Sequence, residues 1–212
     1  MTTAAAPSAS RREKRRQTRR DAIVQVAAQY FLDHGYAGTT MSGIAGALGG
    51  SKGTLWSYFP SKEELFVAVL DRLTEDFRAQ LSLILNPQHD LETALARFCC
   101  KFMAKVTSPE GIELYRLVVS EAVRFPEIGR IFYDRGPKVT QEQLAGFLAD
   151  AMERDLLRRD EPLQAARNLI GLCLAGLRQN LLIGLTEVLT PAEIDDEIDR
   201  AMTMFMRAYR PD

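Results

Sequence analysis

The chain has 212 residues, 46% of them apolar and 26% charged, with a formal net charge of −1. That length allows one full core or two lobes but not many. No stretch approaches the roughly 18 uncharged apolar residues of a membrane span, so a membrane-spanning helix is not expected. The charge is unevenly placed: residues 1–20 carry seven arginines and lysines against Glu13, a net +6. With −1 overall, the remainder carries −7, so a basic head precedes an acidic body. Cys99, Cys100 and Cys173 form no CxxC or Cys/His spacing; they read as small buried hydrophobes in a reducing compartment.

Residues 1–17 are rich in Ala, Ser, Thr and Arg without periodicity, and are expected to be a disordered basic arm. No apolar run of the kind an export signal needs follows them, so the expected location is cytoplasmic. Over residues 18–34, Ile23, Val26, Ala27, Tyr30 and Phe31 recur at helical steps and Gly35 supplies a stop. Two short helices follow at 40–48 and 51–58, the second closed by Pro60. A long helix at 61–85 opens with Ser61 and Glu64 at capping-box spacing and carries the stripe Leu65, Val69, Leu73, Phe77 and Leu81.

Further helices are predicted at 90–106, 109–124, 126–135, 137–158, 162–185 and 191–209. Ser108-Pro109 and Thr190-Pro191 put a cap before a proline, and Glu193 completes a capping box after Thr190. With no hairpin signal the chain is predicted to be all-α. Its divisions are the arm at 1–17, a three-helix helix-turn-helix domain at 18–62 and a helical domain at 63–212.

Residues 39–62 contain what two short helices at a steep angle require. Ala45 is the small contact, Gly49 the turn, and Ile44, Leu48, Leu55 and Phe59 the buried side. The remaining surface carries Ser51, Lys52, Gly53, Thr54, Trp56, Ser57 and Tyr58, with no carboxylate among them. Hydroxyls of Thr40, Ser42, Ser51 and Thr54 suit phosphates, Lys52 a guanine edge or phosphate, and Trp56 and Tyr58 sugar or a thymine methyl. Arg19 and Lys62 are further candidate phosphate contacts. The expected partner is double-stranded DNA.

The run IAGALGGSKGTLWSYFPSKEELF resembles the signature of the TetR/AcrR family of bacterial regulators, over about residues 19–70. That pattern usually has tyrosine at Trp56 and an apolar residue at Gly50. The stretch LYRLVVSEAVRFPEIGRIFYDRG resembles the AefR-like class of C-terminal lobes. The resemblance implies a C-terminal ligand-binding and dimerisation domain, a palindromic operator, a homodimer, and an apolar or aromatic small-molecule inducer. It implies repression released by ligand; activation, or a ligand-binding protein without DNA recognition, are the alternatives. Candidate dimer residues are Leu169, Cys173, Gly176, Leu177, Ile194, Ile198, Met202 and Phe205. Candidate pocket residues are Phe77, Leu81, Phe98, Phe102, Met103, Tyr115, Val119, Phe132, Tyr133, Arg178 and Asn180. No nucleophile elbow, metal-binding spacing or phosphate-cradling loop is present, so neither catalysis nor a cofactor or metal is expected.

Overall fold

The computed structural model describes residues 11–50 and 52–211. They form eleven helices: α1 (Arg11–Gly38), α2 (Met41–Ala47), α3 (Lys52–Tyr58), α4 (Lys62–Ile84), α5 (Leu91–Val106), α6 (Pro109–Glu121), α7 (Pro126–Arg135), α8 (Pro137–Glu153), α9 (Pro162–Leu174), α10 (Leu177–Leu182) and α11 (Pro191–Ala208). Among the described residues there is no strand, and no helix is long and apolar enough to cross a membrane. Two compact units divide between Val69 and Leu70, inside α4.

In the first unit, α1 buries Ile23, Val24, Ala27 and Phe31 at three- and four-residue steps. Phe31, Tyr36 and Phe66 cluster with ring centroids 5.1–5.8 Å apart, which fixes α1 to the first turns of α4. The backbone leaves helical geometry at Gly35, at the expected stop, where φ is 70°. The other end differs from expectation, because helix begins at Arg11 rather than near residue 18. Arginine, lysine, glutamate and glutamine are good helix formers, and Thr18 and Gln17 add bonds to the Lys14 carbonyl and Asp21. A missing apolar stripe there signals an unburied helix, not the absence of one. Residues 1–10 of the expected arm lie outside the described residues.

The second unit is organised around α9, which packs on α8, α11 and α5. Phe98, Leu95, Leu144, Leu148, Leu169 and Phe205 are completely buried in its core. Several helix starts carry side-chain caps. Asp90, Ser108 and Thr190 cap α5, α6 and α11, and Thr190 with Glu193 closes the full capping box.

The predicted helix at 162–185 is interrupted between Leu174 and Leu177. Gly176 lies against the Glu197 carboxylate of α11, so closely that a Cβ there would meet Oε1 at 2.8 Å. Glu197 is itself buried and paired to Arg200 at 2.6 Å. The α9–α10 break is therefore a tertiary feature that the apolar GLCLAGL run does not announce. The helix expected over 137–158 ends at Glu153 because Asp155 turns the chain with φ 54°, which returns Leu157 to the core.

Candidate nucleic-acid interface and cavity

The head is built from the turn outward. Thr40 caps α2 by accepting a bond from the Gly43 amide at 3.0 Å. Between α2 and α3 the amides of Gly49 and Gly50 donate to the Gly46 and Ala45 carbonyls, and Gly49 takes φ 61°, a conformation glycine adopts without steric cost. Ile44, Ala45, Leu55 and Phe59 are buried beneath. That leaves Lys52, Gly53, Thr54, Trp56 and Ser57 exposed together along α3, with Trp56 48% exposed. Thr40 and Ser42 are exposed at the start of α2. Ser51 lies outside the described residues.

The basic helix joins this surface. Residues 11–20 of α1 are exposed throughout. The Arg16 guanidinium stands 5.9 Å from the Tyr58 ring centroid, and that of Arg20 is 5.0 Å from Phe59. Tyr58 is half-buried under this contact. Arg19 reaches the turn, where a Cβ on Gly50 would lie 3.1 Å from its Nη2. Below, Ile23, Ala45, Leu48, Thr54 and Leu55 line a void of about 10 Å³. The apolar side chain missing at Gly50 thus leaves a small gap beside Arg19, and the αα corner still closes.

Lys62 is placed otherwise than its sequence position suggests. Its Nζ donates to the Tyr36 carbonyl at 2.8 Å and the Thr39 carbonyl at 3.2 Å, and lies 4.0 Å from the Tyr36 ring centroid. It ties the end of α1 to the start of α4, a cation on helix-terminal carbonyls. Beside it Glu63 accepts from the Tyr36 hydroxyl at 3.2 Å. A backbone hydrogen bond holds the Glu63 carboxyl below its ordinary range against partial burial, with Ser61, Tyr36 and Lys62 assisting.

The second unit holds a partly open cavity of about 240 Å³ between α4, α5, α6, α7, α8, α9 and α10. Of the candidate pocket residues, Phe77, Phe102, Tyr115, Phe132 and Arg178 line it. Leu81, Phe98 and Met103 are fully buried outside its wall, in the core cluster they share with Leu95, Leu144 and Phe205. Val119 and Tyr133 are 56% and 43% exposed, and Asn180 is not in the wall. Among the wall residues that sequence reasoning missed are Thr74, Arg78, Lys105, Arg135 and Thr140. Thr74 stands three residues before Phe77 and four before Arg78 on α4, and those helical steps were the available signal.

The cavity's charges are mostly answered. Arg135 bonds both Asp71 oxygens at 3.1 and 3.2 Å, Arg78 approaches the same carboxylate at 3.4 Å, and Lys105 pairs with Glu110 at 3.5 Å. Arg178 is 9% exposed; its Nε donates to the Val106 carbonyl at 3.4 Å and its guanidinium lies 4.1 Å from the Tyr115 ring centroid. Burial pushes its pKa down, and Tyr115 partly opposes the shift.

Leu169, Cys173, Ile198 and Phe205, candidate dimer residues, are covered by the chain's own core, where α9 packs on α8, α11 and α5. Gly176, Leu177, Ile194 and Met202 stay partly accessible. Cys99 and Cys173 are buried as expected, whereas Cys100 is exposed. The Cys99 thiol is raised far above its ordinary value by its hydrogen bond with Cys173 and by burial. No cluster of His, Cys, Asp and Glu among the described residues could hold a metal.

A capped αα corner with an anionless outer face, a basic helix beside it and a separate helical lobe around a cavity define a helix-turn-helix regulator. Residues 23–69 match the model of bacterial regulatory proteins of the tetR family, and residues 93–211 match that of the AefR-like transcriptional repressor C-terminal domain. The chain belongs to the TetR family, with a C-terminal lobe of the AefR-like class.

The HTH-type transcriptional regulator BetI of Rhizobium meliloti (strain 1021) is 31% identical over 135 residues, 62% of this chain and 65% of BetI. The chain thus covers under two thirds of that relative, and shorter curated matches cover less. A TetR-family regulator from Mesorhizobium loti MAFF303099 superposes with a TM-score of 0.79 at 27% identity, over 92% of this chain and 98% of its own. The Flavonoid-responsive Regulator FrrA gives 0.78 at 32% identity over the same shares.

Proposed function

We propose that the chain is a dimeric repressor that binds a palindromic operator through α3 and the basic face of α1 and is released by a small aromatic molecule in the cavity. The observation that carries the DNA reading is the joined surface of Lys52, Thr54 and Trp56 with Arg16, Arg19 and Arg20, a cationic and hydroxylated face with no carboxylate on α3. Phosphate contacts from the arginines supply affinity, and the first turn of α3 supplies base readout in the major groove. Lys62 contributes by setting the angle between α1 and α4 rather than by touching phosphate.

A palindrome is read by two copies whose recognition helices stand about 34 Å apart, or a multiple of that. Exposed Ile183, Leu185 and Val188, with accessible Leu177 and Ile194, offer apolar surface for a second copy. The aromatic wall of the cavity, and the likeness to a regulator described as flavonoid-responsive, support an aromatic effector. Thr74, Phe77 and Arg78 line the cavity from α4, which continues into the head. Effector binding to a conformer with α4 displaced shifts the population away from DNA.

Fluorescence anisotropy on an operator recovered by footprinting tests this. Wild-type binding should weaken with salt, and Thr54→Ala and Lys52→Met should lose affinity with the fold intact. Undiminished affinity in both variants would contradict the proposed face.

A further inference from the structure

The cavity wall holds four cationic side chains, and three of them have carboxylates: Arg78 and Arg135 on Asp71, and Lys105 on Glu110. Arg178 has none among the described residues. It is nine-tenths buried and lies against the Val106 carbonyl and the Tyr115 side chain, both in the cavity wall. The Val106 carbonyl and Tyr115 engage only part of the guanidinium N–H donors, and no carboxylate among the described residues answers the charge on this apolar wall. A buried charge is retained at a cost that an opposite charge relieves, so this wall is complementary to an anion.

Size limits the rest of the molecule. A cavity of about 150 Å³ accepts benzene, and this one is about 240 Å³. That is room for two fused rings with a small substituent. Phe77, Phe102 and Phe132 supply ring faces and edges for them.

Resting on the reading of this cavity as the effector site, we propose that its ligand is an aromatic anion, a mono- or bicyclic carboxylate, bound with its negative group on Arg178 and its rings among the three phenylalanines. The planar guanidinium fork suits a carboxylate in two-point contact. Tyr115, against the same guanidinium, holds it in place for that contact.

The full-length protein is titrated by calorimetry with naphthalene carboxylate and with naphthalene carboxamide, which share shape and differ in charge. Wild type should bind the carboxylate at least about tenfold more tightly. Arg178→Met should bind both alike, and Arg178→Lys should keep the preference at reduced size. Equal affinities in wild type would overturn the anion inference and leave an aromatic effector cavity standing. Binding of neither probe would overturn both. A preference that survives in Arg178→Met would remove Arg178 from the contact and overturn the proposal as stated. Should that variant fail to fold, the wild-type probe pair and Arg178→Lys still decide.

Discussion

Replacing Lys62 by methionine keeps the length and apolar stem of the side chain and removes its charge and three donors. Two hydrogen bonds from a cation to carbonyls are lost, at 2.8 and 3.2 Å, with the contact to the Tyr36 ring. Charged hydrogen bonds contribute about 1.5–3 kcal/mol each, and an exposed cation–π contact about 0.5–1. Lys62 is only half-buried, and water recovers part of the carbonyl bonding. A net loss of about 2 kcal/mol in the head follows. With a slope near 1 kcal/mol per molar urea for so small a unit, its unfolding midpoint should fall by about 2 M. Trp56 is the sole tryptophan and sits on α3, so its fluorescence reports this unit. Lys52→Met is the control. Lys52 is exposed, so its loss should leave the midpoint unchanged and lower the salt slope of DNA binding by about one. The reverse pattern, with a stable Lys62→Met of reduced salt slope, would refute the placement of Lys62 as an internal tie.

Three further outcomes follow from the contacts. Gly176→Ala puts a Cβ 2.8 Å from Glu197 Oε1, the free end of a flexible side chain that can swing aside, so it should cost the second unit no more than about 1 kcal/mol in calorimetric unfolding; a loss of about 3 kcal/mol would mean that Glu197 is locked in place at the α9–α10 break. Thr190→Ala breaks the capping box of α11 and should cost about 1 kcal/mol, with Thr190→Ser close to wild type by the same measurement. Glu63 has its carboxyl held below the ordinary range, so its contribution is complete above the unfolded glutamate value and is lost as pH falls through the lower folded value. Acid unfolding followed by Trp56 fluorescence should therefore be shallower in Glu63→Gln across that window, and an identical acid limb would show that Glu63 makes no folding contribution there.

Much of the fold was legible because local chemistry marked the helix ends. Thr40, Asp90, Ser108 and Thr190 each cap the helix they precede, and Gly49 takes the positive φ that the corner needs. What the sequence concealed was tertiary. Gly176 looks like one more small residue in an apolar run until Glu197 is brought against it from α11. One-dimensional order puts Lys62 after α3 and suggests a phosphate clamp; its bonds to the end of α1 could not be read from that order. In the cavity, helical periodicity identified the apolar faces but could not separate wall from core. Phe98 and Phe102 are neighbours on one helix with rings stacked at 5.8 Å, yet only Phe102 reaches the cavity.

The most direct test of the account is a footprint of the purified full-length protein on the DNA upstream of its own gene, repeated at rising salt. The account predicts one protected palindrome with half-site centres one helical turn or a multiple apart, lost steeply with salt and lost in Lys52→Met at lower salt than in wild type. Absence of protection at low salt, or protection indifferent both to salt and to Lys52, would contradict it.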